Sequence, residues 1–105
     1  MDRLAMLLKM VAAKPDEPFV RYGLAMEYRK LERFGEAIEA FDALLARHPD
    51  YVPAYLMFGT MLEGQNQLAH ALEVLERGVA AAERSGDDHA LGELRSARDG
   101  LANRG

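Results

Sequence analysis

Three histidines and seventeen carboxylates are the groups in this 105-residue chain that could move protons or hold a metal. His48, His70 and His89 stand far apart, in no metal-ligand spacing such as His-Glu-x-x-His, and read as surface side chains. The carboxylates scatter along the polar sides of helix-like segments, where they serve as salt-bridge partners rather than as an acid–base pair. There is no cysteine, so neither a thiolate nucleophile nor a disulfide framework is available. No glycine-rich phosphate loop occurs, and no strand to precede one. Neither catalysis, a cofactor nor a bound metal is expected. The residues with most to offer act without covalent chemistry. Phe19, Tyr22 and Met26 make an apolar patch on the side of a helix opposite its main stripe of Leu24, Tyr28 and Leu31. A two-sided helix is either buried on both sides or carries a binding face.

The composition sets the elements that position this patch. Half the residues are hydrophobic and 29% are charged, ordinary for a globular domain. Alanine, leucine, glutamate and arginine are all good helix formers. Valine, isoleucine and threonine are scarce, so strands have little support. The net charge of −4 argues against a general nucleic-acid binder, which needs a basic surface. The apolar run Leu4 to Ala13 is interrupted by Lys9 and is too short to span a bilayer. It also has no signal-peptide cleavage site. No membrane partner is expected, and a cytoplasmic location is the default expectation.

Six helices are expected. The first covers about 2–14, with Leu4, Leu7, Leu8 and Val11 on one face and Met6 and Met10 off it. That spare apolar surface either packs between neighbours or meets a second copy of the chain. The second helix covers about 17–31, capped by Asp16 with Pro18 in its first turn. The third, about 35–47, places Ala37, Ile38, Phe41, Leu44 and Leu45 together, and Pro49 follows it. The fourth, about 52–65, carries Tyr55, Phe58 and Leu62. The fifth runs from Leu68 to about Arg84 with Gly78 inside it, where close approach of a neighbouring helix is the expected reason for a costly glycine. The sixth, about 88–102, is capped by Asp87 or Asp88 and has a narrow stripe of Ala90, Leu94, Ala97 and Leu101.

The stretch from Pro18 to Glu83 is one pattern written twice at an offset of 34 residues. Ala25 falls on Gly59, Tyr28 on Leu62, Ala37 on Ala71, Phe41 on Leu75 and Leu45 on Val79. Pro49 falls on Pro15 in the other direction. A period of this size marks stacked repeats. Small residues let two antiparallel helices approach, and large ones fill the space between them.

With its Leu24-Ala25, Tyr28, Ala37, Phe41 and Pro49, then Tyr55, Phe58-Gly59, Leu62, Ala71 and Leu75, the chain resembles the tetratricopeptide repeat (TPR) family. It departs from the pattern at Arg21, where an aromatic is usual, and at Glu83, where proline is usual. The resemblance implies an all-α, TPR-type α-solenoid of six antiparallel helices in a single domain over 1–105. Residues 2–15 would be a half repeat, 18–51 and 52–85 full repeats, and 87–102 a capping helix.

In that family the first helix of each repeat lines a concave groove that holds an extended or helical peptide. The resemblance places Phe19, Tyr22, Met26, Arg29 and Lys30 there, followed by Pro53, Leu56, Met57, Thr60 and Glu63. Met26 and Met57 would give an adaptable lining, and Arg29 and Lys30 could pair with a partner carboxylate. The alternative is that Phe19, Tyr22 and Leu56 cover one another. TPR domains that clamp the tails of heat-shock chaperones use lysine and asparagine at groove positions. This chain has Tyr22, Met26 and Met57 there, so that partner is not expected. The functional expectation is a protein- or peptide-binding adaptor, with a homodimer through the first helix as the alternative.

Overall fold

The computed structural model describes residues 2–104. Six helices follow one another, and no strand occurs among the described residues. They are α1 (Arg3–Ala13), α2 (Pro18–Lys30), α3 (Phe34–Arg47), α4 (Pro53–Gly64), α5 (Leu68–Ser85) and α6 (Asp88–Ala102). The chain divides into two compact units, Met1–Pro49 and Asp50–Gly105.

The first unit holds α1, α2 and α3, with α2 packed on both of the others. Its core is Leu7, Val20, Leu24, Ala25, Ala37, Phe41, Leu44 and Leu45. Ala25 and Ala37 are fully buried, which is the close approach that small residues permit. Leu8 is 44% exposed, although the helical spacing set it on the apolar face. The repeat explains the difference. Leu8 aligns with Asp42 and Glu76, which are also exposed, so this register position points away from the core. The cap of α2 is Glu17 rather than Asp16. The Glu17 carboxylate accepts from the Phe19 amide at 3.3 Å. Asp16 instead pairs with Arg47 at the end of α3, an attachment across the unit that local sequence cannot reveal.

The second unit holds α4, α5 and α6, each in contact with the other two. Tyr55, Phe58, Leu62, Val74, Leu75 and Leu94 are among its fully covered side chains. Gly78 is where α5 meets both neighbours. A Cβ there would lie 2.6 Å from the Cβ of Tyr55 and 2.8 Å from Leu94 Cδ2. A Cβ on Gly59 would lie 2.5 Å from Leu75 Cδ2. These two glycines set how close α4 and α5 can come.

Glu83 stands where proline would stop a helix, and α5 continues to Ser85. The extra turn makes two attachments within the unit. Arg84 donates to Asp50 Oδ1 at 2.9 Å, and Glu83 lies 3.5 Å from Arg95 of α6. Gly86, at φ 69°, then ends the helix in the left-handed conformation glycine favours. Asp87 caps α6 by accepting from the Ala90 amide at 3.1 Å. Gly92, Glu93 and Ser96 of α6 are exposed, one period after the buried Phe58, Gly59 and Leu62.

The two hairpin turns share an unusual backbone. Glu32 has φ 59° and Asn66, one period later, φ 60°. Asparagine tolerates this left-handed region, whereas glutamate gains nothing there. Glu32→Gly is therefore expected to raise the unfolding free energy by about 1 kcal/mol. Thermal melts followed by circular dichroism check this, and an unchanged or lower midpoint would contradict it.

Candidate interaction surfaces

On the first unit, the amphipathic pattern of α2 turns Leu24 and Ala25 inward and leaves a second set of side chains outward. Phe19 is 70% exposed, so it is not covered by its neighbours. Tyr22, Met26 and Arg29 are half-buried, and Lys30 is exposed. Phe19, Tyr22 and Met26 join Met6, Leu7 and Met10 of α1 in lining a cleft of ≈ 390 Å³. Arg29 and Lys30 border an adjoining depression that also contains Arg3, Gly23, Met26 and Glu27. Its walls bring three cations against one carboxylate. Glu27 is only 8% exposed, and Arg3 lies 3.2 Å from it. A buried carboxylate without such a partner would be costly. The Tyr22 hydroxyl is shifted above the usual tyrosine pKa, chiefly by burial, with Arg29 opposing the shift in part.

On the second unit, Leu56, Met57, Thr60 and Glu63 of α4 are half-buried, and Pro53 is exposed. The Thr60 hydroxyl donates to the Met57 carbonyl at 3.2 Å, a contact along its own helix. Glu63 is held by Arg104 from beyond the end of α6, so its carboxylate already has a cation. Leu56 borders an open depression with Asp88, His89, Glu93 and Ser96. The sequence reading therefore separates into two chemically different surfaces. The first is apolar with cations beside it, and the second is mostly polar with acids. Met6 and Met10 belong to the first surface. The sequence reading set them apart as spare apolar residues but did not join them to Phe19.

The histidines stay separate. His70 packs edge-on to Phe58, with ring centroids 5.5 Å apart, and His89 lies 3.2 Å from Glu93. The His48 ring is half-buried, and its Nε2 has no hydrogen-bond partner among the described residues. No group of three or more histidine, cysteine or carboxylate residues is placed to hold a metal among the described residues. No helix among them is long and apolar enough to cross a membrane.

Helical hairpins with small residues at the crossing and large ones around it define a class of helix–turn–helix repeat proteins. The tetratricopeptide repeat model matches residues 28–97, and the chain belongs to that family. Its fold class is the all-α, TPR-type α-solenoid. A tetratricopeptide repeat domain protein of Salinibacter ruber, solved by NMR, is 31% identical with a TM-score of 0.78, over 84% of this chain and 89% of that one. A protein of Bordetella parapertussis is 31% identical with a TM-score of 0.81, over 99% of this chain and 90% of that one. The TPR2B domain of yeast Sti1, solved in complex with pHsp70, has a TM-score of 0.86 over 97% of this chain and 82% of that one. At 20% identity it shares the fold alone. No curated protein matches the chain. The family is generally one of protein–protein interaction modules.

Proposed function

We propose that this chain is a non-catalytic adaptor or scaffold of the cytoplasm, which holds a peptide or partner helix on the outward faces of its first-position helices. The residues are Phe19, Tyr22, Met26, Arg29 and Lys30 on α2, and Leu56, Met57, Thr60 and Glu63 on α4. The observation that carries the reading is Phe19, an aromatic left 70% exposed at the edge of an apolar cleft. Exposed apolar patches with charge at their rim commonly mark interaction sites. The Sti1 domain, solved with pHsp70, shows a domain of this fold engaging a partner. The apolar character of Tyr22, Met26 and Met57 favours an apolar segment over the tail of a heat-shock chaperone.

Affinity purification with mass spectrometry would supply partners. The double variant Tyr22→Ala with Leu56→Ala is expected to keep its helical circular dichroism and lose those partners. Undiminished capture would reject the reading. A second reading is a homodimer through α1, favoured by Met6 at 45% exposure and Met10 at 44%. Light scattering that finds a monomer at high concentration would end it.

A further inference from the structure

Within the second unit, the second-position helix α5 is covered by its own first helix, α4. Ala71, Val74, Leu75 and Gly78 form the covered stripe and are all buried. Tyr55 and Gly59 of α4 abut Gly78 and Leu75 directly. Two periods earlier the same stripe reads Arg3, Met6, Leu7 and Met10. These four residues all lie along the α1–α2 cleft, and only Leu7 is buried. By sequence and by packing, α1 is a second-position helix whose first-position partner is not among the described residues. The repeat itself thus specifies what fits this face, namely a helix lying along it as α4 lies along α5.

Charge narrows the occupant. Where α3 and α5 place Ala37 and Ala71, α1 places Arg3. Arg29 and Lys30 stand beside it, and no carboxylate of the described residues is within ion-pair distance of either. A helix docking here meets an apolar floor with cations along one edge. A second copy of this chain suits that edge poorly. Two-fold pairing sets the cleft against itself, and the one carboxylate in its lining, Glu27, is buried and already paired with Arg3. The second unit holds the whole acid excess, with nine acidic and five basic residues, but presents no exposed large apolar side chain among its described residues.

We propose that the α1–α2 cleft is the docking seat for an amphipathic helix of a partner protein, apolar along its seam and acidic along one edge, which completes the half repeat in trans. The proposal shares Phe19, Tyr22, Met26, Arg29 and Lys30 with the functional reading above and rests on it to that extent. Its test turns on α1, which that reading does not use.

The probe is a fluorescein-labelled peptide of residues 50–65 of this protein. It carries the seam residues Tyr55, Phe58 and Leu62, two carboxylates and no cation. Fluorescence anisotropy with the full chain is expected to show saturable binding. Met10→Asp is expected to weaken it by at least about tenfold, and so is Arg29→Glu with Lys30→Glu at low ionic strength. These side chains are exposed or half-buried, so circular dichroism should be unchanged. Absence of saturable binding would overturn the proposal. Binding unaffected by Met10→Asp would also overturn it, since the peptide then sits elsewhere, for instance in place of α4. Binding lost with Leu56→Ala but kept in Met10→Asp would do the same while leaving the wider functional reading standing. A dimer in sedimentation that Met10→Asp dissociates would assign the face to a second copy and overturn the hetero-partner.

Discussion

Phe41→Ala is expected to lower the unfolding free energy by about 3–5 kcal/mol. Phe41 is fully buried in α3, and the neighbours that could close the hole are poorly suited to do so. Ala25 and Ala37 are small because two helices meet there, and they have no side chain to extend into the space. Leu44 and Leu45 are already fully or almost fully covered, so moving either one opens a second hole. The cavity therefore persists, and its cost adds to the lost transfer energy. Native domains have roughly 5–15 kcal/mol in hand, so a loss of this size removes a large share of the stability. Urea titration followed by circular dichroism measures this directly. A loss below about 1 kcal/mol would mean that the core collapses around the missing ring, contrary to the packing described.

Gly78→Ala should destabilise the chain, although helix propensity alone predicts a gain of about 1 kcal/mol. The new Cβ would stand 2.6 Å from the Tyr55 Cβ and 2.8 Å from Leu94 Cδ2. The leucine methyl can swing away. The tyrosine Cβ is fixed to the backbone of α4, so relief requires one helix to move. Overpacking of this kind costs typically about 1–3 kcal/mol and outweighs the propensity term. Gly92→Ala is the matched control. It also removes a helix-interior glycine, but nothing lies within 4 Å of the added Cβ. It should stabilise by up to about 1 kcal/mol. Opposite signs in parallel thermal melts support the close crossing, and a shared sign would refute it.

Much of this architecture is legible in the sequence because burial recurs with a fixed spacing. The boundaries of all six helices follow from the apolar stripes, the prolines at 15 and 49, and the glycine at 86. Gly78 was readable as a close approach, since nothing else explains a glycine in mid-helix. Leu8 was misplaced because four apolar residues in a row of i, i+3, i+4 and i+7 look alike, and only comparison with Asp42 and Glu76 tells inward from outward. Asp16 was misplaced because a carboxylate beside a helix start can cap it or reach elsewhere. Arg47, thirty-one residues away, decides the matter. Arg104 on Glu63 is a similar long-range pairing, with no local signal. The α1–α2 cleft was half legible. Its α2 wall showed as a second apolar patch, and its α1 wall showed as spare methionines. That the two face each other is a property of the fold.

The polar strip of Gly92, Glu93 and Ser96 on α6 has a consequence for assembly. Repeat proteins are built from units that can each accept another, which makes unlimited elongation a standing hazard. A further hairpin arm would need to lie on that strip, where it would find a glycine, a carboxylate and a hydroxyl in place of Phe58, Gly59 and Leu62. Another copy docking on that face would meet a wetted wall, and preparations are expected to remain discrete particles rather than lengthening into fibres.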